Sequence, residues 1–235
     1  MTAVVLAGGF GTRLRGVVAD RPKPMALIKG RPFLEYLLDY WIQQNISRFI
    51  FSTGYLGHMI KNHFGVSYKN RDIIYSHEKT PLGTGGAIKS ALLANEFLEE
   101  NVIILNGDTW FKADLGALLN VLLKTGTAAA VCCKRISMND RYGKIEVNEE
   151  GIISEFRDRL EYDINANSLI NCGCYLVNRF FMMKCFSSYP QMFSFEKLAI
   201  PDLVRIQQVS ASIQFGEFID IGIPKDYLIA QELNF

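Results

Sequence analysis

Nowhere in the 235-residue chain do about 18 apolar residues run together, which argues against a membrane-spanning helix. An excess of charge of either sign is also missing: 25 Lys and Arg stand against 24 Asp and Glu, a formal net charge of +1. No global field therefore draws the chain to nucleic acid or to a membrane surface. The N-terminus enters an apolar strand pattern with no basic, apolar and small-residue leader, so no signal peptide is expected. Histidine is scarce, and His58, His63 and His77 lie far in sequence from the cysteines, which argues against a zinc site. The cysteines (Cys132, Cys133, Cys172, Cys174 and Cys185) are odd in number and form no Cys-x-x-Cys. They are expected to be reduced, mostly buried thiols of a cytoplasmic protein. Two phosphate-binding strings are absent as well. No Gly-x-x-x-x-Gly-Lys-Ser/Thr occurs, and the Gly-x-Gly-x-x-Gly fingerprint begun by Gly9 and Gly11 has Leu14 in its third place.

What is present is apolar residues, at 49% of the chain, enough to bury one substantial core. The N-terminal half alternates strand patterns (Ala3–Leu6, Arg48–Thr53, Asp72–Ser76, Val102–Leu105, Ala128–Cys133) with helix patterns (Phe33–Gln44, Leu56–His63, Gly85–Ala94, Leu115–Lys124). Leu34, Leu37, Leu38 and Trp41 share one helical face, which marks core rather than chemistry. This order predicts an α/β fold: a Rossmann-like, mainly parallel (mixed) sheet with helices on both faces. The second half differs. Lys144–Val147 and Ile152–Phe156 flank Asn-Glu-Glu-Gly as a hairpin, and Ser168–Val177 is a long strand. Helices are expected over Glu196–Ile206 and Pro224–Leu233. The expectation is one domain over 1–235 in two parts: the alternating half at 1–134, and at 135–235 a smaller β-rich lid with the C-terminal helix.

The densest signal lies in the first 25 residues. The strand Ala3–Leu6 leads into Ala-Gly-Gly-Phe-Gly-Thr-Arg-Leu-Arg (Ala7 to Arg15), and Pro-Lys-Pro-Met follows at Pro22 to Met25. Glycines beside a strand let backbone N–H groups approach phosphate oxygens, because no Cβ stands in the way. Arg13 offers a bidentate cation and Lys23 a point charge. That much fixed positive charge predicts a triphosphate or a pyrophosphate leaving group. The plain alternative is a glycine turn with stray basic residues on its rim. Thr12, Arg13 and the distant Pro-Lys-Pro argue against it.

Two carboxylates stand out further along. Asn106-Gly107-Asp108 follows a strand directly, which puts Asp108 on the ligand edge of the sheet. Asp220 lies in the apolar run Phe218 to Pro224, where a carboxylate must be paired, bonded to backbone or bound to metal. Its plain alternative is a helix N-cap, since Pro224 starts a helix.

Gly-Gly-Phe-Gly-Thr-Arg-Leu followed by Pro-Lys-Pro-Met resembles the signature of the sugar-1-phosphate nucleotidyltransferases, which make NDP-sugars. The resemblance covers nearly the whole chain and implies a nucleotide-binding part at 1–134 and a sugar-binding lid, with the C-terminal helix, at 135–235. It implies transfer of a nucleotidyl group from an NTP to a sugar 1-phosphate, with magnesium as cofactor. By position it implies nucleotide contacts from Leu6, Ala7, Gly8, Gly9, Gly11, Thr12, Arg13, Gly107 and Asp108. Arg13 and Lys23 become the catalytic cations, and Asp108 and Asp220 the magnesium ligands. His77 to Ala87 resembles the family's base-recognition loop, with Glu78 reading the base and Gly83 giving backbone contacts. An acceptor-only carboxylate matches the adjacent N1–H and amino donors of guanine better than the single N3–H of uracil or thymine, which favours GTP. The plain alternative is an exposed Glu beside Lys79.

The sugar phosphate is expected on Lys23, Gly143, Asp158, Arg159 and Asn171. Tyr142-Gly143 resembles the turn that contacts sugar hydroxyls, and Ile170 to Tyr175 the strand that lines the sugar pocket. Phe156-Arg157-Asp158-Arg159-Leu160 departs from the family's Glu-Lys-Pro, although Arg159 keeps a cation and Asp158 a shorter acceptor. The plain alternative there is a solvated charged turn. Cys172 and Cys174 alternate on their strand and are expected to face the interior.

The chain looks most like the heptose branch, in which D-glycero-α-D-manno-heptose 1-phosphate is joined to GTP for surface polysaccharides. Mannose-1-phosphate guanylyltransferases, then thymidylyl- and uridylyltransferases, stand next. A homologue that senses nucleotide-sugar without catalysis would be expected to lose these charges, yet Arg13, Lys23, Asp108 and Asp220 are all present. No nucleic acid or membrane partner is implied, and a homodimer is admitted.

Overall fold

A computed structural model describes residues 1–95, 99–137, 142–157 and 168–235. β1 (Thr2–Ala7) leads to a 3₁₀ turn (Lys23–Met25), the short ribbon β2 (Leu27–Ile28) and β3 (Arg31–Pro32), and α1 (Phe33–Gln43). Then come β4 (Arg48–Thr53), α2 (Gly57–Phe64), β5 (Ser67–Tyr68), β6 (Arg71–His77), α3 (Gly83–Leu93) and β7 (Asn101–Asn106). The middle of the chain holds β8 (Thr109–Phe111), α4 (Leu115–Thr125), β9 (Ala129–Ile136), β10 (Lys144–Val147), β11 (Ile153–Arg157) and β12 (Ser168–Asn178). α5 (Arg179–Phe186), a π-helical turn (Phe195–Ala199), α6 (Ile200–Arg205), β13 (Val209–Ile213), β14 (Phe218–Asp220) and α7 (Pro224–Ala230) complete it.

Ten strands form one sheet in the order β11-β10-β12-β7-β1-β4-β6-β5, with β9 on the other edge of β12 and β13 beside β9. β7, β1, β4 and β6 are parallel, whereas β12 runs antiparallel to β7, β9 and β10. The two faces are covered separately. Leu34, Leu37, Leu38 and Trp41 of α1, all fully buried, share one core with Leu118 and Leu122 of α4. Ile88 and Leu92 of α3, Met182 and Phe186 of α5 and Leu203 of α6 build the core on the opposite face. This is the α/β layering expected for parallel strands whose faces are both apolar. Among the described residues, β10 to β13 extend the main sheet, whereas β14 pairs with β8 in a separate two-stranded sheet.

Local chemistry sets several boundaries. Asp114 caps α4 by accepting from the Ala117 N–H, and Gly126 ends that helix in the left-handed region. The last helix stops at Ala230, three residues short of the Leu233 expected from the sequence. Instead of continuing the helix, the tail ties back to the β2–β3 ribbon: Lys29 Nζ donates to the Leu233 carbonyl, and the Gln231 amide bonds Leu27 and Lys29. The helix expected from Glu196 opens as the π-helical turn, its N-terminus capped by Ser194. Cys132, Cys133, Cys172 and Cys174 are buried and Cys185 is half-buried. Burial pushes the Cys174 thiol up to about 12. Among the described residues no helix is long and apolar enough to cross a membrane.

Candidate active site

The carboxyl ends of β1, β6 and β7 open onto a cleft of about 350 Å³. Ligands of parallel sheets bind beyond those strand ends. Its walls include Leu6, Ala7, Gly8, Gly9, Phe10, Gly11, Lys23, Glu78, Gly83, Thr84, Asn106 and Asp108. Gly11 sits at φ +60°, which reverses the loop so that it lies against Lys23. A Cβ on Gly8 would stand 2.6 Å from Glu78 Oε1, so the bare backbone lets the carboxylate approach the loop. Glu78 is held in place: Ser52 Oγ donates to Oε1 at 3.2 Å and the Leu82 N–H to Oε2 at 3.0 Å.

Pro22 and Pro24 flank Lys23 where the 3₁₀ turn begins, and Lys23 lines the cleft. Lys23 Nζ donates to Asp108 Oδ2 at 2.5 Å. Burial raises the carboxyl pKa of Asp108, but the ammonium of Lys23 overrides this and holds it below the ordinary value. β14 pairs antiparallel with β8 and sets Asp220 opposite Thr109. The Ile221 N–H donates to the Asp108 carbonyl at 3.0 Å. Two distant carboxylates are thereby made neighbours. The N-cap of α7 is Ile223, so Asp220 is not that cap, and its Oδ1 accepts the Gly222 N–H at 2.6 Å.

A second cleft of about 200 Å³ adjoins the first and shares Asn106 with it. Its walls include Thr109, Tyr142, Gly143, Phe156, Arg157, Asn171, Gly173, Glu196 and Asp220. Asn171 is oriented at both ends of its amide, donating to Tyr175 Oη at 2.5 Å and accepting the Gly173 N–H at 2.9 Å.

Residues 2–234 match the nucleotidyl transferase family. The chain belongs to this family. It is therefore a nucleotidyltransferase, and related chains match along its whole length. D-glycero-alpha-D-manno-heptose 1-phosphate guanylyltransferase of Aneurinibacillus thermoaerophilus is 39% identical over 232 residues, covering 99% of this chain and 97% of that one. The Campylobacter jejuni protein of the same name is 37% identical, covering 97% of each. Two crystal structures of HddC from Yersinia pseudotuberculosis, one complexed with GMP-PN, match with TM-score 0.84 and 32% identity over 98% of both chains.

Most nucleotidyltransferase residues expected from the sequence converge. Gly8, Gly9, Gly11, Lys23, Glu78, Gly83 and Asp108 line the first cleft, and Gly143, Asn171 and Asp220 the second. Gly107 is buried just behind them, its N–H on the Leu6 carbonyl at 3.0 Å. Thr12 and Arg13 are exposed and lie outside both cleft walls. Asp158 and Arg159 fall outside the described residues.

Sequence reasoning missed Glu196. Its Oε2 accepts from Thr84 Oγ at 2.6 Å and from Ser194 Oγ at 3.2 Å, joining a wall of the first cleft to the second. Thr84 stands 112 positions away, so no local spacing could have flagged the pair. Arg157 closes β11 and lines the second cleft, and its Nε donates to Glu155 Oε1 at 2.5 Å.

Proposed function

We propose that this nucleotidyltransferase joins GTP to D-glycero-α-D-manno-heptose 1-phosphate, releasing pyrophosphate and forming GDP-heptose in the cytoplasm for surface polysaccharides. The observation that carries the reading is the meeting of the two clefts at Asn106, beside Asp108 and Asp220. The full-length heptose relatives support the choice of sugar. An oxygen of the sugar phosphate attacks the α-phosphorus in line, a P–O bond forms, and the bond to pyrophosphate breaks. The attacking oxygen is already anionic, so no general base is needed. Positioning and charge then supply most of the catalysis.

Glu78 accepts from guanine N1–H and the exocyclic amine, since each carboxylate oxygen has lone pairs beyond the bonds from Ser52 and Leu82. The glycine loop's N–H groups hold the phosphates, and Lys23 draws the α-phosphate and the incoming phosphate together. Arg13 at the rim meets the departing pyrophosphate. Asn171 and the Gly143 backbone hold sugar hydroxyls, and Arg159 the sugar phosphate.

Asp108 and Asp220 fit a divalent cation. They are hard oxygen donors, Asp108 just before β8 and Asp220 at the paired end of β14, and a cationic ammonium already rests on Asp108. Magnesium is commonly held by one or two carboxylates together with substrate phosphates, and this pair would supply the carboxylates. Bound there, magnesium would neutralise charge developing on the phosphates.

Pyrophosphate release tests the reading, with GTP, dTTP, UTP, CTP and ATP crossed against heptose, mannose, glucose and N-acetylglucosamine 1-phosphates. GTP-restricted turnover of the heptose phosphate is the expected result. Turnover confined to dTTP or UTP would refute the role of Glu78.

A further inference from the structure

Asn106 closes β7 and is the residue both clefts share. Its Oδ1 is buried without a hydrogen-bond partner among the described residues. A buried amide oxygen left bare costs stability, and such atoms persist where a ligand supplies the missing bond. The surroundings are shaped around this side chain. Across the sheet edge stands Gly173, at φ +70°, and a Cβ there would lie 2.8 Å from Asn106 Nδ2 and 3.1 Å from its Cβ. Gly173 thus leaves room for the amide. Its own N–H is taken by Asn171 Oδ1 and cannot serve Asn106.

We infer that the Asn106 amide is a specificity residue that bonds the sugar hydroxyl next to the anomeric carbon. The inference rests on the nucleotidyl-transfer reading of the two clefts. In-line attack requires the anomeric phosphate to meet the α-phosphorus where the clefts join. The ring carbon that follows the anomeric centre, with its hydroxyl, must then lie near that junction. A hydroxyl satisfies the amide in either orientation, donating to Oδ1 or accepting from Nδ2. A phosphate oxygen cannot satisfy Oδ1, because it has no proton to give at neutral pH. A contact at this carbon would separate manno- from gluco-configured sugars, since their hydroxyls there point to opposite faces of the ring.

The test compares wild type, Asn106→Leu and Asn106→Ala in pyrophosphate release. The substrates are D-glycero-α-D-manno-heptose 1-phosphate, or whichever sugar 1-phosphate the wild type turns over, and its 2-deoxy analogue. Wild type should lose about 10- to 100-fold in kcat/KM on the deoxy substrate, the range for a lost polar contact in a buried site. Asn106→Leu should lose a similar factor on the full sugar, yet stay within about twofold of wild type on the deoxy sugar, as coupled partners in a cycle must. It should also melt no lower than wild type, because the atom it removes has no bond in the protein. An equal loss on both sugars overturns the inference in favour of a phosphate or cation-bound water contact. A loss that vanishes with 3′-deoxy-GTP instead assigns the amide to the ribose and overturns it as well. Silence of the wild type on every sugar refutes the transfer reading itself and is distinct from both.

Discussion

The contact between Lys23 and Asp108 can be broken from either side, and the structure sets the size of each effect. The ammonium lies 2.5 Å from the carboxylate, with side chains 12% and 31% exposed. Breaking a fully buried pair costs about 3–5 kcal/mol, whereas an exposed pair is worth about 0–1. Lys23→Met strands a half-buried carboxylate and should cost about 2 kcal/mol between those limits. Unfolding entropy of about 2.1 cal/mol/K per residue amounts to about 0.5 kcal/mol/K for this chain, so the melting temperature should fall by about 4 °C. Asp108→Asn should cost a similar amount by leaving the ammonium without its partner. Lys23→Met/Asp108→Asn removes both charges and should recover about 1–2 kcal/mol relative to the sum of the single losses. Urea unfolding at pH 7 with EDTA measures the cycle. Pyrophosphate release with magnesium, measured in parallel, should stay at least about 100-fold below wild type in all three variants, because recovered stability restores neither charge. Strict additivity of the two midpoint losses would falsify the contact, and with it the placement of Lys23 beside Asp108.

Glu78→Gln replaces an acceptor with a donor facing guanine N–H groups and should lower kcat/KM for GTP by about 10- to 150-fold, the worth of a charged hydrogen bond. The preference for GTP over UTP should shrink by a similar factor, and an unchanged preference would refute base reading. Away from the site, burial raises the Glu35 and Asp39 carboxyls, but hydrogen bonds from Arg31 to both, and from Lys69 to Asp39, hold them below their ordinary values of 4.5 and 3.8. Their stabilisation is therefore full above about pH 4.5 and is lost as pH falls through the lower folded values. Arg31→Met should flatten that acid loss by about 1 kcal/mol in urea midpoints taken from pH 3 to 7, and an unchanged profile would refute the network. Gly107→Ala would put a Cβ 2.6 Å from the Leu6 carbonyl oxygen and should cost about 1–3 kcal/mol, or about 2–6 °C of melting temperature. Gly9→Ala meets no atom within 4 Å and should melt within about 1 °C of wild type, so equal losses would count against the close β1–β7 packing.

What could be read from the sequence was what is local. The strand Arg48–Thr53 was placed to the residue, and the buried stripe of α1 followed from helical spacing. The glycine loop and Lys23 were legible because one short segment carries both. Legibility failed where a contact joins distant segments. β8 and β14 are three residues each, too short for a periodic signal, yet they bring Asp220 to Asp108. Glu196 stayed hidden for the same reason, since its partner Thr84 belongs to another helix. α3 starts two residues before the expected Gly85 because the Phe193 carbonyl accepts the N–H groups of Gly85 and Gly86 and fixes its first turn. That anchor comes from a segment no window around α3 contains.

The position of the chemistry follows from one strand that changes partners. The C-terminal half of β12 pairs with β7, from Cys174 opposite Leu105 to Asn178 opposite Asn101. Nearer its start, on the same edge, Leu169 pairs with Ile145 of β10 instead. Between these two stretches the register against β9 shifts, from Asn171 to Tyr175, with Gly173 in the left-handed region. A strand that leaves one neighbour before meeting the next opens a gap in the sheet, and a bulge re-aims its side chains into that gap. The second cleft lies there, walled by Asn171 and Gly173. On the other side of the same β7 terminus, β1 still runs parallel, and the first cleft follows from its glycine loop. β7 thus stands where the sheet turns from parallel to antiparallel, and its last residue, Asn106, lines both clefts. An α/β sheet binds ligands where its strand order reverses. Here the reversal is of strand direction, and it brings the two clefts together at one side chain, Asn106.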